Sequence, residues 1–183
     1  MNSNYVIKMP YTVVRHHMEL SADTAKPKEA FDKLVSTLRI FKSGVVGYNT
    51  IRSKLLHWHP YSGITFSNTG GYKRFIGIPY SLDKLEIPSF MEFWKKFNEF
   101  NFDRNKSLEI AINRFNYAME REKPEDKIID FMISLEALFL KGTEDELSYR
   151  LSIRMATFLG VTKEEKQKIF SDIKKGYKLR SKV

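Results

Sequence analysis

The sequence predicts an α+β protein: an all-α helical bundle over residues 89–183, preceded by a smaller, β-containing mixed α/β region over residues 1–88. Three observations predict it. Six of the nine glycines fall in the first 88 residues, most of the prolines with them, among short runs of β-branched and aromatic residues, which is the composition of strands and turns. Beyond Pro88, apolar residues recur at three- and four-residue spacing between helix start signals and glycine stops. One of those segments, Ile128 to Leu140, is apolar nearly all round, as a central buried helix is.

In chain order, Tyr5 to Leu20 reads as one or two strands. Pro27 to Phe41 reads as a helix, with Phe31, Leu34, Val35, Leu38 and Phe41 on one face, Pro27 in its first turn and Gly44 as its stop. Val45 to Leu56 reads as extended. Ile64 to Ser67 and Tyr72 to Ile78 form a hairpin around Asn68, Thr69, Gly70 and Gly71, because glycine tolerates the positive φ of tight turns. The boundary between the halves falls near Leu85 to Ser89. Ser89 and Glu92 then make a capping box ahead of the aromatic stripe Phe90, Phe93, Trp94, Phe97 and Phe100, read as core. A second helix of this half spans about Asn105 to Glu122. Pro124, Glu125 and Asp126 open a third, since proline and acids suit a first turn, and Gly142 closes it. Thr143 with Glu146 starts a fourth, ending at Gly160; Thr162 with Glu165 starts a fifth, ending near Gly176.

Composition narrows the chemistry. The 183 residues are 42% hydrophobic, enough for a core. Cysteine is absent, which removes disulfides, thiolate metal sites and cysteine nucleophiles. No run approaches the length of a membrane span, and Met1 to Pro10 makes a poor signal peptide, so the expectation is a cytoplasmic protein with no membrane partner. With 31 Lys and Arg against 22 Asp and Glu, the formal charge is +9, which favours polyanionic partners. Lys163 to Val183 concentrates it: Lys163, Lys166, Lys168, Lys174, Lys175, Lys178, Arg180 and Lys182 stand against Glu164, Glu165 and Asp172. Such a run is also what a solvated helix face looks like.

Two carboxylates, Asp130 and Glu136, fall inside the most apolar helix, where an unpartnered charge costs several kcal/mol. Arg150 and Arg154, four residues apart on the next helix, are the expected partners, with Arg114 as another candidate. The five residues read as a structural polar network, or as support for a catalytic arginine.

Four segments carry a family pattern: Leu108 to Ala118 (LEIAINRFNYA), Ile128 to Leu140 (IIDFMISLEALFL), Glu146 to Ala156 (ELSYRLSIRMA) and Ile173 to Val183 (IKKGYKLRSKV). Over residues 105–183 the chain resembles the Apea-like branch of the HEPN superfamily; Leu34 to Val46 resembles, less specifically, the region preceding the helical domain in such proteins. The resemblance implies a dimeric helical bundle that acts on RNA, in a prokaryotic defence or stress-response setting. The family signature is an Arg followed four to six residues later by His, near the start of the last helix. Arg180 matches that Arg and Ser181 the polar residue after it, while the His position lies beyond Val183. The expectation is therefore a natural chain that continues past Val183, with Tyr177 to Val183 opening its last helix. The implied reaction is metal-independent RNA cleavage by the ribose 2′-OH, with His moving protons and Arg180 stabilising the phosphoryl oxygens. It needs no cofactor and no metal. Arg180 is then the catalytic residue, and Lys174, Lys175, Tyr177, Lys178, Ser181 and Lys182 bind RNA. The alternative is a non-catalytic RNA-binding or protein-interaction module.

Other constellations are weaker. His16 with His17, and His57 with His59, form two close pairs without the acids of a metal site; a metal-dependent hydrolase built on them is a remote third reading. Thr69 to Lys73 lacks phosphate-loop spacing. Tyr72 to Phe75 interleaves aromatic and basic residues, as single-strand binding surfaces and ordinary hairpin faces both do.

Overall fold

A computed structural model describes residues 25–48, 50–53, 66–69, 78–140, 142 and 145–182 of the chain. Its architecture is helical. Six helices follow in order: α1 (Ala25–Phe41), α2 (Ile87–Glu99), α3 (Lys106–Glu120), α4 (Pro124–Phe139), α5 (Leu147–Leu159) and α6 (Lys163–Arg180). The α+β expectation is thereby corrected: no β-layer exists among the described residues. Among the described residues two four-residue strands, β1 (Thr50–Ser53) and β2 (Phe66–Thr69), pair with each other, antiparallel, with Thr50 opposite Thr69 and Ser53 opposite Phe66. A two-stranded ribbon of that length cannot act as a core layer. Among the described residues one isolated parallel bridge joins Val45 and Pro79, with the Val45 N–H donating to the Ile78 carbonyl (2.8 Å) and the Tyr80 N–H to the Val45 carbonyl (3.3 Å).

The first half also differs in detail. β2 takes in Asn68 and Thr69, which the sequence assigns to a turn, and it pairs with β1 from the stretch read as extended. The expected strands at Tyr5 to Leu20, the histidine pairs and Tyr72 to Phe75 lie outside the described residues. Gly44 fits its stop role physically: at φ 144° an added Cβ would sit 2.8 Å from the Tyr80 backbone.

Helix α1 is tied to the bundle by a buried arginine. Arg39 donates to the Val46 carbonyl (3.1 Å), the Asn116 side chain (3.0 Å) and Glu120 (3.2 Å), while Asn116 donates to Ser36 (2.7 Å). Phe41 packs on Phe90 and Phe93 of α2, and the aromatic row continues through Phe97 and Phe102. The expected Ser89 box does not start α2. A turn of 3-10 helix at Lys84–Glu86 feeds into it, with the Glu86 carboxylate accepting the Asp83 N–H (2.9 Å) and an ion pair from Lys42 (2.7 Å).

Helices α3 and α4 form an antiparallel pair brought close by small residues. Ala111 and Ala118 are fully buried, and Ser134 of α4 donates to the Ala111 carbonyl at 2.7 Å. The bundle core lies between α4, α5 and α6, where Met132, Leu140, Leu151 and Met155 are buried among Ile128, Leu135, Phe139, Leu147, Ile169 and Ile173. α5 starts at Leu147 with Glu146 itself at the cap, in left-handed conformation (φ 52°), so Glu146 is not the third residue of a box there. α6 starts as expected: Thr162 accepts the Glu165 N–H (3.2 Å), and Glu165 accepts the Thr162 and Val161 N–H groups (3.1 and 2.8 Å).

The far end of α6 departs from expectation. The helix runs through Gly176 without a break, so Tyr177 to Arg180 is its last turn and not the opening of another helix. Gly176 is a packing residue: a Cβ there would lie 3.2 Å from the Met132 sulfur on α4. Among the described residues, no helix is long and apolar enough to cross a membrane.

Candidate nucleic-acid interface

Ile169, Ile173 and Tyr177 turn one stripe of α6 into the core. The neighbouring stripe, at the same i, i+4 spacing, faces outward and forms one wall of an open groove of about 600 Å³. Its lining is Phe170, Ser171, Lys174, Lys175, Tyr177 and Lys178 from α6, Ser181 just past its end and Ser148 from α5. Three lysines, three serines and two aromatic residues line it, and no carboxylate is among the lining residues. Lys174 lies over the Phe170 ring (5.4 Å to its centroid), and Tyr149 of α5 meets the same ring edge-on at 5.8 Å. Lys175 approaches Asp172 at 3.6 Å, both well exposed, a contact worth little in water.

Five of the residues expected to bind RNA therefore share one groove: Lys174, Lys175, Tyr177, Lys178 and Ser181. Lys182 is exposed just beyond the end of the helix and does not line it. Arg180 lies on the other side of Tyr177. Its guanidinium and the Tyr177 hydroxyl both donate to the same oxygen of Glu136 on α4, and the guanidinium sits 5.6 Å from the Tyr177 ring centroid. Arg180 is 31% exposed and Glu136 20%, so the pair is partly shielded and stronger than a surface contact. Burial, and then the hydrogen bond to Glu136, push the Tyr177 phenol up to about 12, so it stays a donor throughout the neutral range.

The second intrahelical carboxylate is served separately. Asp130 is buried and accepts from Arg114 (3.0 Å) and Arg121 (2.8 Å). Burial alone would raise its pKa; the two guanidiniums outweigh that and hold it below the usual carboxylate range. Arg114 is thus the partner that the sequence offered correctly, while Arg150 and Arg154 partner neither acid. Arg150 is exposed, and Arg154 donates to the Phe139 carbonyl at the end of α4, where a cation suits the unsatisfied carbonyls. Arg121 was missed, although a signal existed: the three-residue connection between α3 and α4 places the last turn of one beside the first turns of the other. Arg39, Asn116 and Glu120 carry no such signal, because their meeting depends on how α1 docks. Among the described residues no group of three or more His, Cys, Asp or Glu side chains is placed to hold a metal.

Compared with protein-family models, curated proteins and solved structures, the chain returned no match.

Proposed function

We propose that the chain is an RNA-directed helical module of HEPN type, which takes a sugar–phosphate backbone into the α6 groove. The observation that carries this reading is the convergence of Lys174, Lys175 and Lys178 with Phe170 and Tyr177 in one groove free of lining acids. Ammonium groups neutralise phosphates and release counterions, aromatic faces take bases without demanding a sequence, and the serine hydroxyls supply hydrogen bonds to phosphate or ribose. A labelled single-stranded RNA, titrated at low salt and followed by fluorescence anisotropy, tests it. Reversing all three lysines (K174E/K175E/K178E) lowers affinity by about 100-fold or more, since three phosphate contacts turn repulsive. Failure of the wild-type protein to bind overturns the RNA reading; equal binding by the variant removes the groove from it.

Cleavage is the second reading, and the contact of Arg180 with Tyr177, a residue that lines the groove, favours it. A guanidinium at the scissile phosphate stabilises charge developing on its oxygens. RNA cleavage that survives EDTA and disappears in Arg180→Ala supports the ribonuclease; binding without turnover leaves the module as a binder.

A further inference from the structure

We propose that Glu136 is a positioning residue that keeps Arg180 in reserve, releasing its guanidinium into the groove when a phosphate arrives. This rests on the RNA reading above and concerns how that same site is regulated. The argument begins with Tyr177, which belongs to two places at once. Its ring lines the groove, while its hydroxyl donates to Glu136, at the oxygen that also takes Arg180. The Arg180 guanidinium already lies over that ring, so a swing of its flexible stem away from Glu136 takes it toward the edge of the groove that Tyr177 lines. Nothing in the helix has to unwind, because Arg180 is the last residue of α6 and Ser181 after it is a groove residue.

The electrostatics make the exchange a competition between two anions. Glu136 has only partial shielding, and its attraction for Arg180 is divided with the phenol that shares its oxygen. A phosphate in the groove offers a guanidinium two acceptor oxygens in matching geometry, inside the field of three lysines. The bound state gains one more cation; the free state avoids placing four like charges together. The observed affinity is then lower than the intrinsic one by the fraction of molecules in which Arg180 is released.

A double-mutant cycle on RNA binding separates this from a simple effect of charge. Glu136→Gln frees Arg180 and raises affinity by about tenfold, roughly one charge-assisted contact. In an Arg180→Ala background the same substitution gives only the small gain expected from removing a distant negative charge. Equal gains in both backgrounds overturn the proposal while leaving RNA binding intact; absence of RNA binding by the wild-type protein is the separate failure of the function itself. Thermal melts of each variant report whether the fold holds. If Glu136→Gln does not fold, Tyr177→Phe decides the matter with opposite sign. Without the phenol, Glu136 holds Arg180 harder, and the loss of affinity is larger with Arg180 present than in the Arg180→Ala background; equal losses overturn the proposal.

Discussion

At the scale of single residues, the two carboxylates of α4 show how much a sequence says about need and how little about supply. Asp130 and Glu136 stand out because charge inside an apolar helix requires compensation, and both are compensated. Their partners come from different elements: Arg114 from α3 and Arg121 from the connection after it, Tyr177 and Arg180 from α6. Helical spacing says which side of α4 each acid occupies only once the neighbours are known. For Asp130 the consequence is measurable. Its folded-state pKa lies below the ordinary value of about 3.9, so the unfolded chain takes up the proton first. The stabilisation is complete above the unfolded pKa and drains away as pH falls through the folded one. Asp130→Asn, which strands two guanidiniums that can still reach water, costs about 2 kcal/mol at pH 7. Urea unfolding of the two proteins at a series of pH values checks this: the gap closes on acidification, and a gap independent of pH would mean that packing, not charge, is what the substitution disturbs.

At the scale of elements, one of the three expected capping boxes starts its helix, and Gly160 ends α5 where a stop was expected. Thr162 and Glu165 form the box that their spacing predicts, and Asn105 caps α3 through the Leu108 N–H at 3.3 Å. Both signals are local, with donor and acceptor within three residues. Ser89 with Glu92 has the same spacing and no such role, because Asp83 and Glu86 start a helical turn earlier and Glu92 pairs with Lys96 instead. Gly176 misled for a related reason: glycine ends a helix when backbone conformation demands it, but it also serves where two helices come close, and sequence alone does not distinguish these. Here the demand is Met132, 3.2 Å from where a Cβ would stand. Alanine at 176 gains helix propensity of about 1 kcal/mol and spends most of it displacing a buried thioether, so its stability stays within about 1 kcal/mol of wild type. Valine drives two further carbons into the α4–α6 seam and destabilises by about 2 kcal/mol. Denaturant midpoints for Gly176→Ala and Gly176→Val give the comparison; a stable valine variant would show that the seam is looser than its geometry says.

For the molecule as a whole, the helix that the spacing of Phe31, Leu34, Val35, Leu38 and Phe41 predicts forms as α1 in spite of β-branched Val35, Thr37 and Ile40, because propensity is a weak local preference and packing decides. The Arg39 cluster and the Phe41 contacts hold it against its neighbours. Net charge is likewise a property that local reading misuses. A formal +9 attracts any polyanion at low salt and by itself identifies no site. Salt dependence distinguishes diffuse attraction from seated contacts, since each phosphate neutralised at a defined position contributes about 0.7 to the slope of log affinity against log salt for a single strand. Lysines of the groove and lysines elsewhere therefore behave differently on removal. Lys174→Ala and Lys178→Ala each lower the slope by about 0.7. Lys163→Ala, at the opposite end of α6, removes the same charge and leaves the slope unchanged while lowering affinity slightly. Measuring RNA binding between about 50 and 200 mM salt covers the range in which these slopes separate. Equal slopes for all three variants would mean that the chain attracts RNA by its total charge, with the groove playing no special part.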